Sequence, residues 1–272
     1  MEEIMSLPSY AMNQQSFPEM YEKWLVAPLF RPFAESMILD LDLSLGEKVL
    51  DIACGTGIVA RVAKERVGEG GRVVAVDISD DMLTVARNVA PGIDFREGSA
   101  HALPLQDGEQ FDVVVCHQGF QFFADKPAAA AQMRRALKEG GKLAVATWRS
   151  DEESPFLHEL RRVAERHLGP IQDQRYNFSE AALEAFIRDA GFKNARVKTI
   201  SRRIHFDDGE QFVRLNSMAF VGLTAAGKGM DEAQRRQAVD AIVTDSAAVL
   251  KSHSKGSAVD FDLRTNVATA RG

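Results

Sequence analysis

The sequence predicts an α/β protein built on a doubly wound, mostly parallel sheet, and three observations carry that expectation. Short apolar runs alternate with amphipathic helical patterns from residue 46 to residue 149. The runs in "EKVLDIA", "GRVVAVD", "FDVVVCH" and "KLAVATW" are apolar without polar alternation, as strands covered on both faces are. Polar residues gather where the runs end, at Asp51, Asp77, Gly98 to Ala100, and His117–Gln118. Right-handed crossovers bring all such ends to one edge of a parallel sheet, and ligands sit at that edge.

Taken in chain order, residues 8 to 38 read as helical and are rich in Tyr10, Phe17, Tyr21, Trp24, Leu29, Phe30 and Phe33. They belong to an expected N-terminal helical cap, residues 1–45, whose aromatic side chains either fold over the ligand edge as a lid or serve simple helix packing. "EKVLDIA" is the first strand and stops at a glycine turn. Ile58, Val59, Val62, Ala63 and Val67 then recur at helical spacing, with Arg61, Lys64 and Glu65 turned away. "GRVVAVD" is the second strand. Ser79 has the chemistry of an N-cap, and Asp80 and Asp81 suit the positive end of the helix dipole. Met82, Val85, Ala86 and Val89 mark the buried face of that helix, which Pro91–Gly92 ends. "IDFREG" is a short third strand and "FDVVVCH" the fourth. Asp125 and Pro127 open the next helix, Gly140–Gly141 closes it, and "KLAVATW" is the fifth strand.

Helices are expected over 154 to 168 and 179 to 190, the second ended by Gly191. "ARVKTISRRIHF" alternates like a strand with one wet face. Residues 208 to 252 form a helical insertion, and "AVDFDLRTNVATARG" is a final, antiparallel strand. The sheet then has seven strands, and residues 46–272 form one domain with helical lid elements.

Bulk composition excludes several functions. A net charge of −6 over 272 residues argues against nucleic acid as a partner. Two cysteines, Cys54 and Cys116, make neither a disulfide framework nor a metal site, and both read as small core residues. No basic-flanked apolar leader opens the chain and no apolar run approaches the ~18 residues of a membrane span. A cytoplasmic protein without a membrane partner is expected.

Gly55, Gly57 and Ala60 satisfy a G-x-G-x-x-A pattern, which dinucleotide-binding folds share. Charge separates the possibilities. A pyrophosphate at a helix N-terminus wants bare N–H groups and a positive dipole, and Asp51 would repel it. Asp51 instead suits a ligand that brings cations, and S-adenosylmethionine carries an ammonium, a sulfonium and a carboxylate. Asp77, about 20 residues beyond the glycines, is placed to accept from both hydroxyls of a ribose. Each acid also has a plain structural reading, Asp51 as a cap on the turn and Asp77 as a helix-terminal charge.

"VLDIACGTG", "VVAVDISDDML", "LPLQDGEQFDVVVC" and "LKEGGKLAVATW", in this order, resemble the class I S-adenosylmethionine-dependent methyltransferases, in the branch of the ubiquinone and menaquinone C-methyltransferases. The resemblance is close over about 46 to 149 and loose elsewhere, and it implies the Rossmann-like methyltransferase fold. It assigns Asp51, Ala53, Gly55 and Gly57 to the methionine end of the cofactor and Asp77 to its ribose. It sets Ile78 and Met82 beside the adenine, Ser99 and Ala100 at the adenine edge, and His117 beside the methyl. Where the family usually has Asp this chain has Ser99, whose hydroxyl accepts more weakly than a carboxylate.

Methyl transfer from a sulfonium needs alignment above all, and a base only where the nucleophile must lose a proton. His117 and His101 are the candidate bases, each with a rim or cofactor-positioning role as the alternative. Arg31 is a candidate partner for the cofactor carboxylate, with Glu35 as the competing partner. Phe120, Phe122 and Phe123 follow the fourth strand, some to pack the next helix and one to face a substrate. Phe212, Leu215, Met218 and Phe220 are candidates to roof the site, and such walls suit a small, largely hydrophobic methyl acceptor. The alternatives are a non-catalytic S-adenosylmethionine-binding module and a nucleotide-dependent oxidoreductase; Asp51 and the lack of a second mononucleotide-binding half speak against the latter.

Overall fold

The computed structural model describes residues 16–171 and 178–272. Tyr10 and the rest of the helical expectation before residue 16 lie outside them. The chain divides into two compact units. One gathers Phe30–Arg149, Gln174–Ile200 and Arg264–Gly272, and the other Met1–Leu29, Ser150–Asp173 and Ser201–Leu263. Of residues 1–45, those from Phe30 onward fall in the same unit as residues 46–149.

Elements follow one another as the apolar pattern dictates. A first turn, α1 (Phe17–Met20), is capped by Ser16 and Glu19 and runs into a π-helical stretch, Tyr21–Phe30, that carries Pro28. Proline cannot donate to a regular helical ladder, and wider π geometry is one way a helix absorbs the loss. Next come α2 (Arg31–Leu41), β1 (Lys48–Ile52), α3 (Ile58–Val67), β2 (Arg72–Asp77), α4 (Asp80–Val89) and β3 (Asp94–Glu97). They are followed by β4 (Phe111–His117), α5 (Lys126–Ala136), β5 (Leu137–Trp148), α6 (Pro155–Leu168), α7 (Glu180–Asp189) and β6 (Lys193–Phe206). Four helices, α8 (Gly209–Leu223), α9 (Ala225–Lys228), α10 (Glu232–Asp245) and α11 (Ala247–His253), lead to a hairpin of β7 (Ser254–Lys255) and β8 (Ala258–Arg271).

The sheet runs β3-β2-β1-β4-β5-β8-β6, with β7 paired only to β8. β3 to β5 are parallel and β8 joins β5 antiparallel, in the register Ala146↔Val267 and Trp148↔Thr265. Setting aside the two-residue β7, this is the expected seven-stranded, mostly parallel, doubly wound sheet. Its middle strands bury Leu50, Ile52, Val74, Val76, Val114, Val145 and their neighbours beneath Ala130 and Met133 of α5 and Leu183 and Ile187 of α7. α2 packs on α3, burying Phe33, Met37 and Ile38.

The second unit has its own aromatic core. Phe156, Phe206, Phe212 and Phe261 lie with ring centroids 4.5 to 6.2 Å apart. Leu215, Met218 and Phe220, expected with Phe212 to roof a site, are buried as well.

Two local expectations are corrected. Val89 is exposed at the last turn of α4, and Leu83 takes its place on the buried face beside Met82 and Ala86. α5 ends at Ala136 rather than at Gly140–Gly141. Leu137 is already extended because it pairs with Phe111, and the register then slips so that Val113 faces Lys142. The "KEGG" segment is thus an irregularity inside β5, with Gly140 at φ +70°.

Candidate active site

The ends of β1, β2 and β4 build the site, and its centre is the turn after β1. Ala53, Gly55 and Gly57 all have left-handed φ, at +57°, +55° and +84°. The two glycines differ in what surrounds them. A Cβ on Gly57 would lie 2.9 Å from the Phe95 ring, so α3 and β3 need glycine there for close packing. A Cβ on Gly55 would meet no atom within 4 Å, so the backbone there is open. Gly57 has no side chain to cap α3, and Asp51 does that work from β1. Its Oδ2 accepts from the Ala60 N–H at 3.0 Å. Its Oδ1 has no partner among the described residues, although the residue is only 1% exposed. Burial pushes the Asp51 carboxyl up to about 8; the Ala60 hydrogen bond opposes this and the nearby Asp77 charge adds to it.

Asp77 closes the other side of the turn. Its Oδ2 accepts from the Gly55 N–H at 2.7 Å and its Oδ1 from the Ser79 N–H at 2.9 Å. Burial raises its pKa, against the backbone N–H groups of Ser79, Gly55 and Ile78. Ser79 caps α4 as its sequence position implied, accepting from the Met82 N–H at 3.3 Å. Ile78 stands 39% exposed beside Asp77, an apolar surface next to a carboxylate, while Met82 is buried below it.

The remaining expected residues lie nearby in the chain, in varied settings. Ser99 Oγ accepts from the His101 N–H at 3.1 Å, and Ser99 bridges to Ala102 around Ala100. His101 Nε2 accepts from the Asp125 N–H at 3.3 Å, and its ring meets Phe123 edge-on at 6.0 Å. That contact ties the imidazole to the N-cap of α5. Arg31 faces Glu35 at 3.5 Å and Glu65 at 3.6 Å. His117, the last residue of β4, is buried, its Nε2 has no partner among the described residues, and its ring lies 6.5 Å from Phe30. Burial pushes its pKa down to about 3, so the imidazole is neutral at ordinary pH. Phe120 packs against Phe123, Phe178 and Phe186 inside the core. Buried and protonated, Cys54 and Cys116 are core residues.

Beyond the residues expected from the sequence, Thr56, Gln118 and Gln121 are buried near the ends of β1 and β4, and among the described residues Thr56 Oγ1 and both amide atoms of Gln121 have no partner. Only their polarity beside an apolar strand end could have flagged them. Among the described residues no cluster of His, Cys, Asp and Glu has the makings of a metal site, and no helix is long and apolar enough to cross a membrane.

These groups fit S-adenosylmethionine. Asp51 Oδ1 is a buried, partnerless acceptor suited to a cation, and the open backbone at Gly55 suits close approach of a ligand. A pyrophosphate would meet two carboxylates at the same turn.

Comparison with known proteins agrees. A domain family described as "Methyltransferase domain" matches residues 50–145. The ubiquinone/menaquinone biosynthesis C-methyltransferase of Xanthomonas campestris pv. campestris is 31% identical over 194 residues, covering 64% of this chain and 76% of its own length. The Cronobacter sakazakii protein of the same name is 32% identical over 170 residues, covering 55% of this chain and 67% of its own. Phosphoethanolamine N-methyltransferase 2 of Haemonchus contortus, solved with S-adenosyl-L-methionine, superposes with a TM-score of 0.57 at 18% identity. That superposition covers 94% of this chain and 55% of the other, and it speaks to fold alone. On sequence and topology together, the chain belongs to the class I S-adenosylmethionine-dependent methyltransferases, with S-adenosylmethionine as methyl donor.

Proposed function

We propose that this methyltransferase acts on a small, largely hydrophobic molecule, and that the turn after β1 holds the donor. The observation that carries the reading is the pairing of a buried carboxylate, Asp51, and a half-buried one, Asp77, with an open, left-handed glycine turn. In this reading Asp51, Ala53, Gly55 and Gly57 take the methionine end. Asp77 takes the ribose with the lone pairs its backbone partners leave free. Ile78 and Met82 flank the adenine, and Ser99 with Ala100 meets its edge. Bound S-adenosylmethionine supplies a methyl group already activated on sulfonium, so the protein's part is alignment and exclusion of water.

His117 is neutral and its Nε2 has no partner among the described residues, so it offers a hydrogen-bond acceptor to the incoming nucleophile, while burial, which pushes its pKa down to about 3, makes it a weak base. His101 Nε2 already accepts from Asp125, and Arg31 has two acidic neighbours of its own. An apolar acceptor is supported by the aromatic series that starts at His117: Phe30 lies 6.5 Å from its ring, Trp148 5.9 Å from Phe30, and Phe33 5.1 Å from Trp148. It is supported also by the names of the C-methyltransferase relatives.

Calorimetry with S-adenosylmethionine and with NAD tests the donor site, and binding of the first alone is expected. Asp77→Ala should weaken donor binding by roughly 1–3 kcal/mol through lost charged hydrogen bonds. Unchanged affinity in a folded variant rejects the ribose role. Release of S-adenosylhomocysteine against phenols, quinones and amines identifies the acceptor class, and turnover only with large polar substrates rejects it.

A further inference from the structure

The proton on Thr265 decides which way the amide of Gln118 faces. Gln118 follows β4 directly, and its N–H still bonds the Ala146 carbonyl of β5 at 2.9 Å. Its backbone is left-handed, at φ +60°, an uncommon state for a residue with a Cβ and one found preferentially at functional sites. From there its side chain crosses the end of β5 to reach β8, where Nε2 lies 2.8 Å from Thr265 Oγ1. The Thr265 hydroxyl has one proton. Only carbonyls stand ready to accept it, Thr147 at 2.8 Å and Asn266 at 3.5 Å. With that proton on the Thr147 carbonyl, Thr265 receives from Gln118 Nε2, which sets the orientation of the amide. Its carbonyl end, Oε1, is left as a buried acceptor with no partner among the described residues.

An acceptor held this way is costly unless something donates to it. Three residues of the same turn share the pattern: His117 Nε2, Gln118 Oε1 and both amide atoms of Gln121 are buried with no partner among the described residues. They follow one another at the C-terminal end of β4, where the His117 ring lies 6.5 Å from Phe30 and Phe30 in turn 5.9 Å from Trp148.

We propose that Gln118 is a specificity-determining residue whose Oε1, locked by Thr265, selects a methyl acceptor that presents an O–H or N–H group. The proposal rests on the small, hydrophobic acceptor argued above and narrows it to one with a hydrogen-bond donor beside its apolar body. Thr265 is a positioning residue: it is fully buried and acts through Gln118 alone.

Two probes of equal ring size separate the possibilities, 2-naphthol and its methyl ether 2-methoxynaphthalene, titrated against the protein saturated with S-adenosylhomocysteine. Wild type should favour naphthol by roughly three- to tenfold, the scale of one hydrogen bond. Gln118→Met, similar in shape without the acceptor, should erase the preference. Thr265→Val should shrink it and Thr265→Ser restore it, since only the latter keeps the hydroxyl. S-adenosylhomocysteine affinity and the melting temperature, measured on each variant, report an intact donor site and fold. Equal binding of both probes to wild type overturns the role of Gln118 and leaves the apolar acceptor standing. Binding of neither overturns both readings. A naphthol preference that survives in Gln118→Met, or that Thr265→Val leaves untouched, overturns the lock.

Discussion

An imidazole reports its surroundings through its proton, and two histidines here occupy opposite settings. His117 is enclosed at the end of β4, where burial disfavours the cation. His205 is exposed and hydrogen-bonded to Asp260 at 2.8 Å and Asp207 at 3.1 Å, which raise its pKa in that order. Ring resonances followed by NMR should stay fixed for His117 from pH 5 to 8. Those of His205 should titrate with a midpoint above the usual ~6.5. A His117 midpoint near 6.5 would show that its pocket is wet. Residue-scale chemistry was legible in the sequence where it is local. Ser79 and Asp125 cap their helices as their positions imply, accepting from Met82 and Ala128 three residues on. Gln118 was legible only as a polar residue at a strand end. Its orientation depends on Thr265, 147 residues away, and no spacing rule reaches that far.

At the scale of elements, the turn between β1 and α3 makes a prediction from its two glycines. Both hold left-handed φ, so alanine strains the backbone at either position, at about 1 kcal/mol. Gly57→Ala adds a clash with the Phe95 ring and should lower stability by a further ~1–3 kcal/mol. Gly55→Ala meets no atom of the protein; it should stay nearer wild type in melting temperature while losing most of its affinity for S-adenosylhomocysteine. Thermal unfolding and calorimetry on both variants test the contrast. Equal losses of stability, with donor binding intact in Gly55→Ala, would mean that the turn is purely structural. The sequence shows the glycines but not this division of labour, because Phe95 comes from a strand about 40 residues later. The end of α5 was misread for a similar reason. Glycine is a reliable stop signal in isolation, but pairing of Leu137 with Phe111 ended the helix earlier.

Across the whole molecule, strands were legible because each is a compact apolar run, whereas the division into two units was not. The second unit is assembled from three separated stretches, and no composition shift marks their edges. In the sheet unit the half-buried Glu109 and the buried Asp51 have proton affinities that move in opposite directions, and Asp77 moves with Asp51. Glu109 is held down to about 2, chiefly by its hydrogen bonds to Arg96, so its stabilisation is complete above its ordinary value near 4.5 and fades as pH falls toward 2. Asp51 behaves in reverse. With its pKa raised to about 8 by burial, the folded protein keeps a proton that the unfolded chain releases near pH 4. Stability without ligand should therefore decline as pH rises from about 4 to 8, by an amount on the order of a few kcal/mol, and level off above. A cation placed against Asp51 stabilises the carboxylate and removes that decline. Saturating S-adenosylhomocysteine, through its ammonium, should flatten the profile and raise the melting temperature most near pH 8. Asp51→Asn, which cannot ionise, should make it shallower without ligand, leaving the smaller part that Asp77 contributes. Melting temperatures from pH 4 to 9, for wild type with and without ligand and for the variant, decide the matter. A ligand-free profile that is level or rising between pH 5 and 8, or a variant that keeps the wild-type slope, would mean that Asp51 is already ionised in the free protein, and the coupling of its ionisation to donor binding would fall with it.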